Sequence, residues 1–337
     1  MQDRRRALPP GLARWRVLGP LLLAAAVLAS CAAAPPADPE LQSIAPGALP
    51  LADITLSIPG LGPCTDNPDR RLSLNSREPV NVLVHGCFGS SGRFRGLAQV
   101  LAFHGQQTAC FTYNDRDSLM RSSGQLVAAL DQLGRAMESR QLTVIGHSQG
   151  ALIARSALVS DRPDPMRELG LQLRLVTVSG PFAGIAAAEQ CGNPVTRALT
   201  LGLIGPMCRL ITGDKWSEIT AHSAFIQQPG RLAAQVRGYL KVMTDERGTC
   251  RRYEGERCTE SDEIFSLDEQ RHPVIDDDPL AEVLEVGAGH VEIVGDERVA
   301  PVKLIALLQR HGVLNPTAPQ RQAALSQLLA RVYGAQP

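Results

Sequence analysis

From about residue 80 the chain alternates two kinds of segment. Short apolar runs rich in β-branched residues stand at "NVLVHG" (81–86), "TACFTYND" (108–115), "LTVIGHS" (142–148), "LRLVTVSGPF" (173–182) and "RGYLKVMTD" (237–245). Between them lie segments with apolar residues at helical spacing, among them "GRFRGLAQVLAFHG" (92–105) and "SSGQLVAALDQLGRAME" (122–138). Unbroken apolar runs suit strands buried on both faces, and helix-length connections suit parallel crossovers. The pattern therefore predicts an α/β fold with a mostly parallel sheet and helices on both faces. Such sheets gather their chemistry at the carboxyl ends of the strands. Here "HG", "GHSQG", "SGPF" and "TDE" stand at those ends.

"GHSQG" is the most informative of these. Gly146-His147-Ser148-Gln149-Gly150 follows a strand and precedes the helix-compatible "ALIA". A bare pentapeptide of this kind is compatible with a glycine-bordered turn and a solvated Ser. Between a strand and a helix it reads as a nucleophile elbow. The sharp turn lifts the hydroxyl above the sheet, and the helix N-terminus aims amides and positive potential at it. Glycines two positions either side let neighbouring chains pass close.

These residues, with "VLVHGCFGSSGRF", "SEITAHSAFI", "SDEIFSLDEQ" and "AGHVEIVG", resemble the α/β-hydrolase superfamily, in its bacterial lipase and esterase branch. The resemblance runs from about Val80 to His311. It implies that Ser148 is the nucleophile and that the backbone N–H groups of Cys87 and Gln149 form the oxyanion hole. His85 belongs to the same motif as a structural ring, and His147 flanks the Ser and points elsewhere. Relatives often carry Pro-His after the next strand, where this chain has Pro181-Phe182.

A base must follow the Ser late in the chain. His222, His272, His290 and His311 are available. His290 in "VLEVGAGHVEIVGD" sits after a strand and two glycines, where the family places its base. His311 belongs to the helical run "PVKLIALLQRHG", and His272 precedes Pro273 in a polar stretch. For the acid, Asp262 in "ESDEIFSLDEQ" looks like the lipase pattern, with Asp245 at the end of its strand as the alternative. Asp276, Asp277 and Asp278 read as a solvated charge run.

The N-terminus reads as a targeting segment. Arg4, Arg5, Arg6, Arg14 and Arg16 precede "VLGPLLLAAAVLAS" (17–30), too short to span a bilayer as a relaxed helix but suited to a signal-peptide core. It ends at Leu28-Ala29-Ser30-Cys31, which resembles the bacterial lipobox. That resemblance implies cleavage before Cys31, lipidation of that Cys and a membrane anchor. By resemblance to Gram-negative lipoproteins, Ala32 after the Cys favours the outer membrane. An ordinary secretory signal is the rival. The expected organisation is a signal peptide over 1–30, a Pro/Ala-rich tether over 31–50, the hydrolase domain over 51–315 and a helical tail over 316–337.

Export makes disulfides the expected state of the remaining cysteines, Cys64, Cys87, Cys110, Cys191, Cys208, Cys250 and Cys258. Local pairs Cys250–Cys258 and Cys191–Cys208 are expected, each contributing roughly 2–4 kcal/mol. Seven leaves one thiol over, and connectivity is not fixed by spacing. No C-x-x-C pair or His at ligand spacing points to zinc, so no metal site and no organic cofactor are expected. Residues 183–230 form a cap-sized insertion. "TLGLIGPMCRLITGDKW" within it suits either a lid over an acyl chain or ordinary packing under a helix.

The 34 basic and 34 acidic residues balance. Nothing in them suggests nucleic acid. The sequence thus predicts an envelope-anchored serine hydrolase of carboxylic esters, its substrate an ester or lipid. An acyltransferase on the same acyl-enzyme, or a lipoprotein keeping the fold without catalysis, are the alternatives.

Overall fold

A computed structural model describes residues 48–87, 89–161, 165–188 and 213–334. The expected signal peptide, Cys31, most of the expected tether, Cys191, Cys208 and the middle of the expected cap insertion lie outside the described residues. The chain divides into two units, 1–37 and 38–337, and every described residue belongs to the second.

The strands are β1 (Ile54–Leu56), β2 (Leu61–Gly62), β3 (Leu72–Leu74), β4 (Val80–Val84), β5 (Gln107–Phe111), β6 (Gln141–His147), β7 (Gln172–Val178), β8 (Val236–Asp245), β9 (Cys250–Glu254), β10 (Arg257–Ser261) and β11 (Ala281–Gly287). Seven of them form one sheet in the order β11-β8-β7-β6-β4-β5-β2. All its pairings are parallel except β2 against β5. The expected mostly parallel sheet is therefore present. Two antiparallel pairs, β1–β3 and β9–β10, stand apart from it.

The α-helices described are α1 (Arg95–Phe103), α2 (Leu119–Ala136), α3 (Gln149–Ala157), α4 (Ala224–Gln227), α5 (Leu267–Gln270), α6 (Pro273–Asp276), α7 (Val302–Arg310) and α8 (Gln322–Tyr333), with short 3-10 turns between elements. Alternation along the strands divides the core in two. Val82, Val84, Val144 and Leu175 pack on one face with Leu126, Leu130 and Leu133 of α2 and Leu152 and Ile153 of α3. Leu83, Ile145, Val176 and Val242 pack on the other with Leu97 and Leu101 of α1 and Leu304 and Leu308 of α7. Tyr333 of α8 joins this second core and lies where a Cβ on Gly96 would fall, 2.5 Å from its ring. The C-terminal helix is thus built into the domain.

Helix α2 begins three residues earlier than its apolar pattern suggests. The Ser118 hydroxyl accepts from the Arg121 N–H at 3.3 Å, and the Glu218 carboxylate takes the Ser118 hydroxyl at 2.7 Å and the Leu119 amide. An N-terminus held by two acceptors can start on polar sequence.

Cys250 and Cys258 are disulfide-bonded across the β9–β10 hairpin, as expected. A second bridge, Cys64–Cys110, ties the segment after β2 to β5 across 46 residues. Cys87 carries a thiol.

Candidate active site

Strand β6 ends at His147 and α3 starts at Gln149, so Ser148 alone makes the turn. Its backbone stands at φ 56 and ψ −126. Ser148 and Ser179 are the non-glycine residues with positive φ among those described. Such a conformation costs of order 1–3 kcal/mol and persists only where the surroundings hold it. Here the Ser148 N–H donates to the Val178 carbonyl at 2.9 Å, and its own carbonyl accepts from Ala151 at 3.0 Å. The flanking glycines leave no alternative. A Cβ on Gly146 would lie 2.4 Å from the Gly150 carbonyl oxygen, and one on Gly150 would lie 2.2 Å from that of Val84.

The loop after β4 runs directly past this turn. A Cβ on Gly86 would come within 2.8 Å of the Ser148 Cβ. Cys87 follows at once. Its Sγ is 2.9 Å from Lys215 Nζ, and that buried ammonium is 3.8 Å from the Asp115 carboxylate. The Gln149 side chain donates to the Asp115 carbonyl at 3.2 Å. Behind the loop, the His85 ring stacks on Tyr113 with centroids 4.4 Å apart. The Tyr113 hydroxyl donates to the His85 carbonyl at 2.7 Å, and burial lowers the pKa of the His85 ring. Of the expected oxyanion donors, Gln149 thus follows Ser148 directly, and Cys87 follows Gly86, which packs against it.

His290 follows β11 in the turn expected for it. Its Nδ1 is 2.9 Å from Oε1 of Glu246, a residue the sequence analysis did not single out. Glu246 is 1% exposed. Its other oxygen accepts the backbone N–H groups of Ile264 and Phe265, both at 2.7 Å. The Phe265 ring also stands edge-on to the imidazole at 4.8 Å. His147 holds the other side of the loop. Its Nε2–H donates to the His290 carbonyl at 2.9 Å, and its ring lies 4.8 Å from that of His290. Burial, with the neighbouring His290, depresses the His147 pKa well below the ordinary value, so this ring is a neutral donor.

Neither expected acid reaches the imidazole nitrogen. Asp262 is 2% exposed, but its carboxylate accepts the amides of Val291 at 3.0 Å and Glu292 at 2.9 Å. Its own carbonyl accepts the His290 N–H at 2.9 Å. Asp262 therefore clamps the backbone of the His290 turn. Burial raises its pKa against the opposing pull of those amides. The clamp explains one glycine of "GAGH": a Cβ on Gly289 would lie 2.1 Å from the Asp262 carboxylate. Asp245 points the other way and pairs with the exposed Arg247 at 2.6 Å. The physical reason is alternation. Leu240 and Val242 face the core shared with α1 and α7, and Tyr239 faces the other. By the same parity Thr244 and Glu246 share the face of Leu240, while Asp245 does not.

Other candidates are placed elsewhere. His311 caps α7 and pairs with Glu282 at 2.9 Å. His272 is buried before α6 and its pKa is lowered by burial. Asp276, expected in a solvated run, is bonded to Lys241, whose side chain is 1% exposed. His222 lies in the turn before α4. Among the described residues no group of three or more His, Cys, Asp or Glu is arranged to hold a metal ion.

Comparison with known proteins adds a family context. Residues 79–244 match the palmitoyl protein thioesterase family, a span that ends just before Glu246. The chain is 31% identical over 132 residues to a triacylglycerol lipase of Pseudomonas fragi, covering 34% of this chain and 45% of that one. It is 28% identical over 148 residues to a triacylglycerol lipase of Vibrio cholerae, covering 42% and 46%. The chain thus spans less than half the length of the curated relatives it matches. Among solved structures, the mature Bacillus licheniformis lipase BlEst2 is similar at a TM-score of 0.47 and 15% identity, over 77% of this chain and 98% of that one. The Pyrococcus furiosus esterase Pf2001 is similar at a TM-score of 0.42 and 14% identity, over 90% and 96%. The parallel sheet, the strand–Ser148–helix turn and the helices on both faces make this an α/β-hydrolase fold.

Proposed function

We propose that the chain is a serine hydrolase of carboxylic esters, working through Ser148, His290 and Glu246. The observation that carries this reading is the 2.9 Å contact between His290 Nδ1 and the buried Glu246 carboxylate, on the turn that follows β11 of the sheet bearing the Ser148 elbow. Glu246 accepts a hydrogen bond from the Nδ1–H and leaves Nε2 as the base. Ser148 Oγ attacks the acyl carbonyl as His290 takes its proton. The amides of Cys87 and Gln149 stabilise the tetrahedral oxyanion. Collapse expels the alcohol, protonated by His290, and water then repeats the sequence on the acyl-enzyme.

The match to palmitoyl protein thioesterases over 79–244 supports a second reading, in which the leaving group is a thiol. The acyl-enzyme is the same in both. Comparing kcat/KM on matched oxyester and thioester substrates of one acyl chain separates them. We further propose that Cys31 anchors the protein to the bacterial envelope, in the outer membrane, supported by the basic start, apolar run and Leu28-Ala29-Ser30-Cys31. A Cys31→Ser protein that is still acylated and membrane-bound would refute this.

A fluorophosphonate probe tests the central reading. It is expected to label the peptide carrying Ser148 and to leave Ser148→Ala unlabelled and inactive. Turnover by Ser148→Ala within tenfold of wild type would overturn the assignment, because losing a nucleophile of this kind costs several orders of magnitude.

A further inference from the structure

Glu246 is held by more than His290. Its Oε1 also accepts the Thr244 hydroxyl at 2.8 Å. With the Ile264 and Phe265 amides on Oε2, the carboxylate receives four donors while 1% exposed. Four is the full acceptor capacity of an ionised carboxylate. The shell therefore fits the charged form.

The Thr244 donor has a history of its own. Thr244 Oγ1 is 2.8 Å from Ser179 Oγ and 3.3 Å from Gln270 Oε1. Gln270 Oε1 already accepts the Thr244 N–H at 2.8 Å, and Gln270 Nε2 donates to the Thr244 carbonyl at 2.8 Å. The Gln270 amide thus grips the Thr244 peptide from both sides and fixes the side chain. Thr244 and Ser179 have one hydroxyl proton each. The ionised Glu246 can only accept, so Thr244 donates to Glu246 and Ser179 donates to Thr244. All four of these residues are buried, with Thr244, Ser179 and Gln270 at 0% exposure. Ser179 reaches Thr244 from a positive φ of 51, the second strained non-glycine backbone among the described residues. Its N–H donates to the Val242 carbonyl at 2.9 Å, which holds the strained turn in place. Strain of this kind at a site points to a constraint on the side chain.

We infer that Thr244 is a positioning residue for the proposed reaction, with Ser179 behind it. The chain Ser179–Thr244–Glu246 fixes which carboxylate oxygen faces His290 and how its charge is shared. Without the Thr244 donor, Oε1 is free to rotate off the Nδ1 axis while Oε2 stays on its two amides. The imidazole then spends less time with Nε2 toward Ser148. This lowers the rate of proton transfer and leaves substrate binding alone. The inference rests on the Ser148–His290–Glu246 reading.

The test compares Thr244→Val, Thr244→Ser and Ser179→Ala on a soluble nitrophenyl ester. Thr244→Val keeps the shape and removes the hydroxyl. It is expected to lower kcat about tenfold with KM within twofold, the size of one lost hydrogen bond to a charged group. Thr244→Ser restores the donor and is expected to recover kcat to within threefold of wild type. Ser179→Ala removes only the outer donor and is expected to fall between, and it stands in for Thr244→Val should that variant fail to fold. The low-field proton resonance of the His290 Nδ1–H is expected to move in Thr244→Val and to return in Thr244→Ser. A Thr244→Val enzyme with kcat within twofold of wild type overturns the inference. So does a Thr244→Ser enzyme as impaired as Thr244→Val, which would make the role one of packing. If Ser148→Ala remains active, the triad reading itself fails. If Ser148→Ala is dead and Thr244→Val is not, only this inference fails.

Discussion

His290 Nδ1 and Glu246 Oε1 stand 2.9 Å apart, and the next acidic side chain, Asp262, spends its carboxylate on the backbone of the same histidine turn. Two carboxylates thus divide one task. One holds the imidazole ring, and the other holds the chain that carries it.

The division predicts a ranking. Glu246→Gln keeps the size but removes the charge that stabilises the imidazolium and selects its tautomer, so kcat should fall by about three to four orders of magnitude. Asp262→Asn should cost less in kcat but should lower stability, by about 1–3 kcal/mol, because its NH2 would face a buried backbone N–H where a carboxylate oxygen now accepts. Asp245→Asn, which breaks only a surface pair with Arg247, should leave both within error. Steady-state kinetics and denaturant unfolding on the three proteins check this. An Asp262→Asn enzyme more impaired in kcat than Glu246→Gln would restore Asp262 as the acid.

Gly289 gives an independent handle on the clamp. Adding one methyl there places it against the Asp262 carboxylate, a backbone-borne contact that neither group can avoid cheaply. Gly289→Ala should displace the His290 turn, with a loss of about 1–3 kcal/mol in stability and at least a tenfold loss in kcat. Activity equal to wild type would show that the turn relaxes freely and that Asp262 does not set it.

The two described disulfides should differ in what they contribute. In the chain-entropy account the stabilisation grows with the loop closed. Cys64–Cys110 closes 46 residues and Cys250–Cys258 closes 8. Replacing the first pair by Ala should cost about 4 kcal/mol, the second about 2.5 kcal/mol. Thermal unfolding of the two double variants checks the order. A larger drop on losing the hairpin bridge would show that the β9–β10 hairpin is bound into the fold more tightly than loop length implies.

How far the sequence exposed this site follows from the range of each signal. Ser148 and His290 are marked by local chemistry, a glycine pair around one and a strand-glycine-glycine lead into the other, and both stand just past the carboxyl ends of strands of the sheet. Asp262 was legible as a residue of the site and not as to its role. Its carboxylate meets Val291 and Glu292, about 30 residues on, and no local pattern reports which atom it touches. Glu246, whose carboxylate meets His290, stands one position beyond Asp245. The "TDE" stretch marks the strand end, and only the alternation from Leu240 and Val242 through Thr244 assigns Glu246 to the face of His290. For the expected cap over 183–230 the sequence offers only composition, since a run of Leu, Ile and Met reads alike on a lid and in a core.

The last prediction concerns pH and stability. Burial lowers the pKa of His85, His104, His147 and His272 below the ordinary histidine value, furthest for His147. The unfolded chain takes up these protons near pH 6.5 and the folded chain does not. A group with a depressed folded pKa holds its contribution above the unfolded pKa and loses it as pH falls through the folded value. Each proton bound only by the unfolded chain lowers stability by about 1.4 kcal/mol per pH unit. Asp262 acts in the opposite sense, because burial raises its pKa and its cost recedes on acidification. The carboxyls held low, such as Asp296, titrate below pH 4 and stay silent in this window. Four histidines against one carboxyl leave a net loss, so Tm should fall by several degrees between pH 7.5 and pH 5. His147→Gln keeps a donor to the His290 carbonyl without a titrating ring, and should flatten that slope. A Tm unchanged across the window, or a His147→Gln slope as steep as wild type, would show that these rings do not carry the pH dependence.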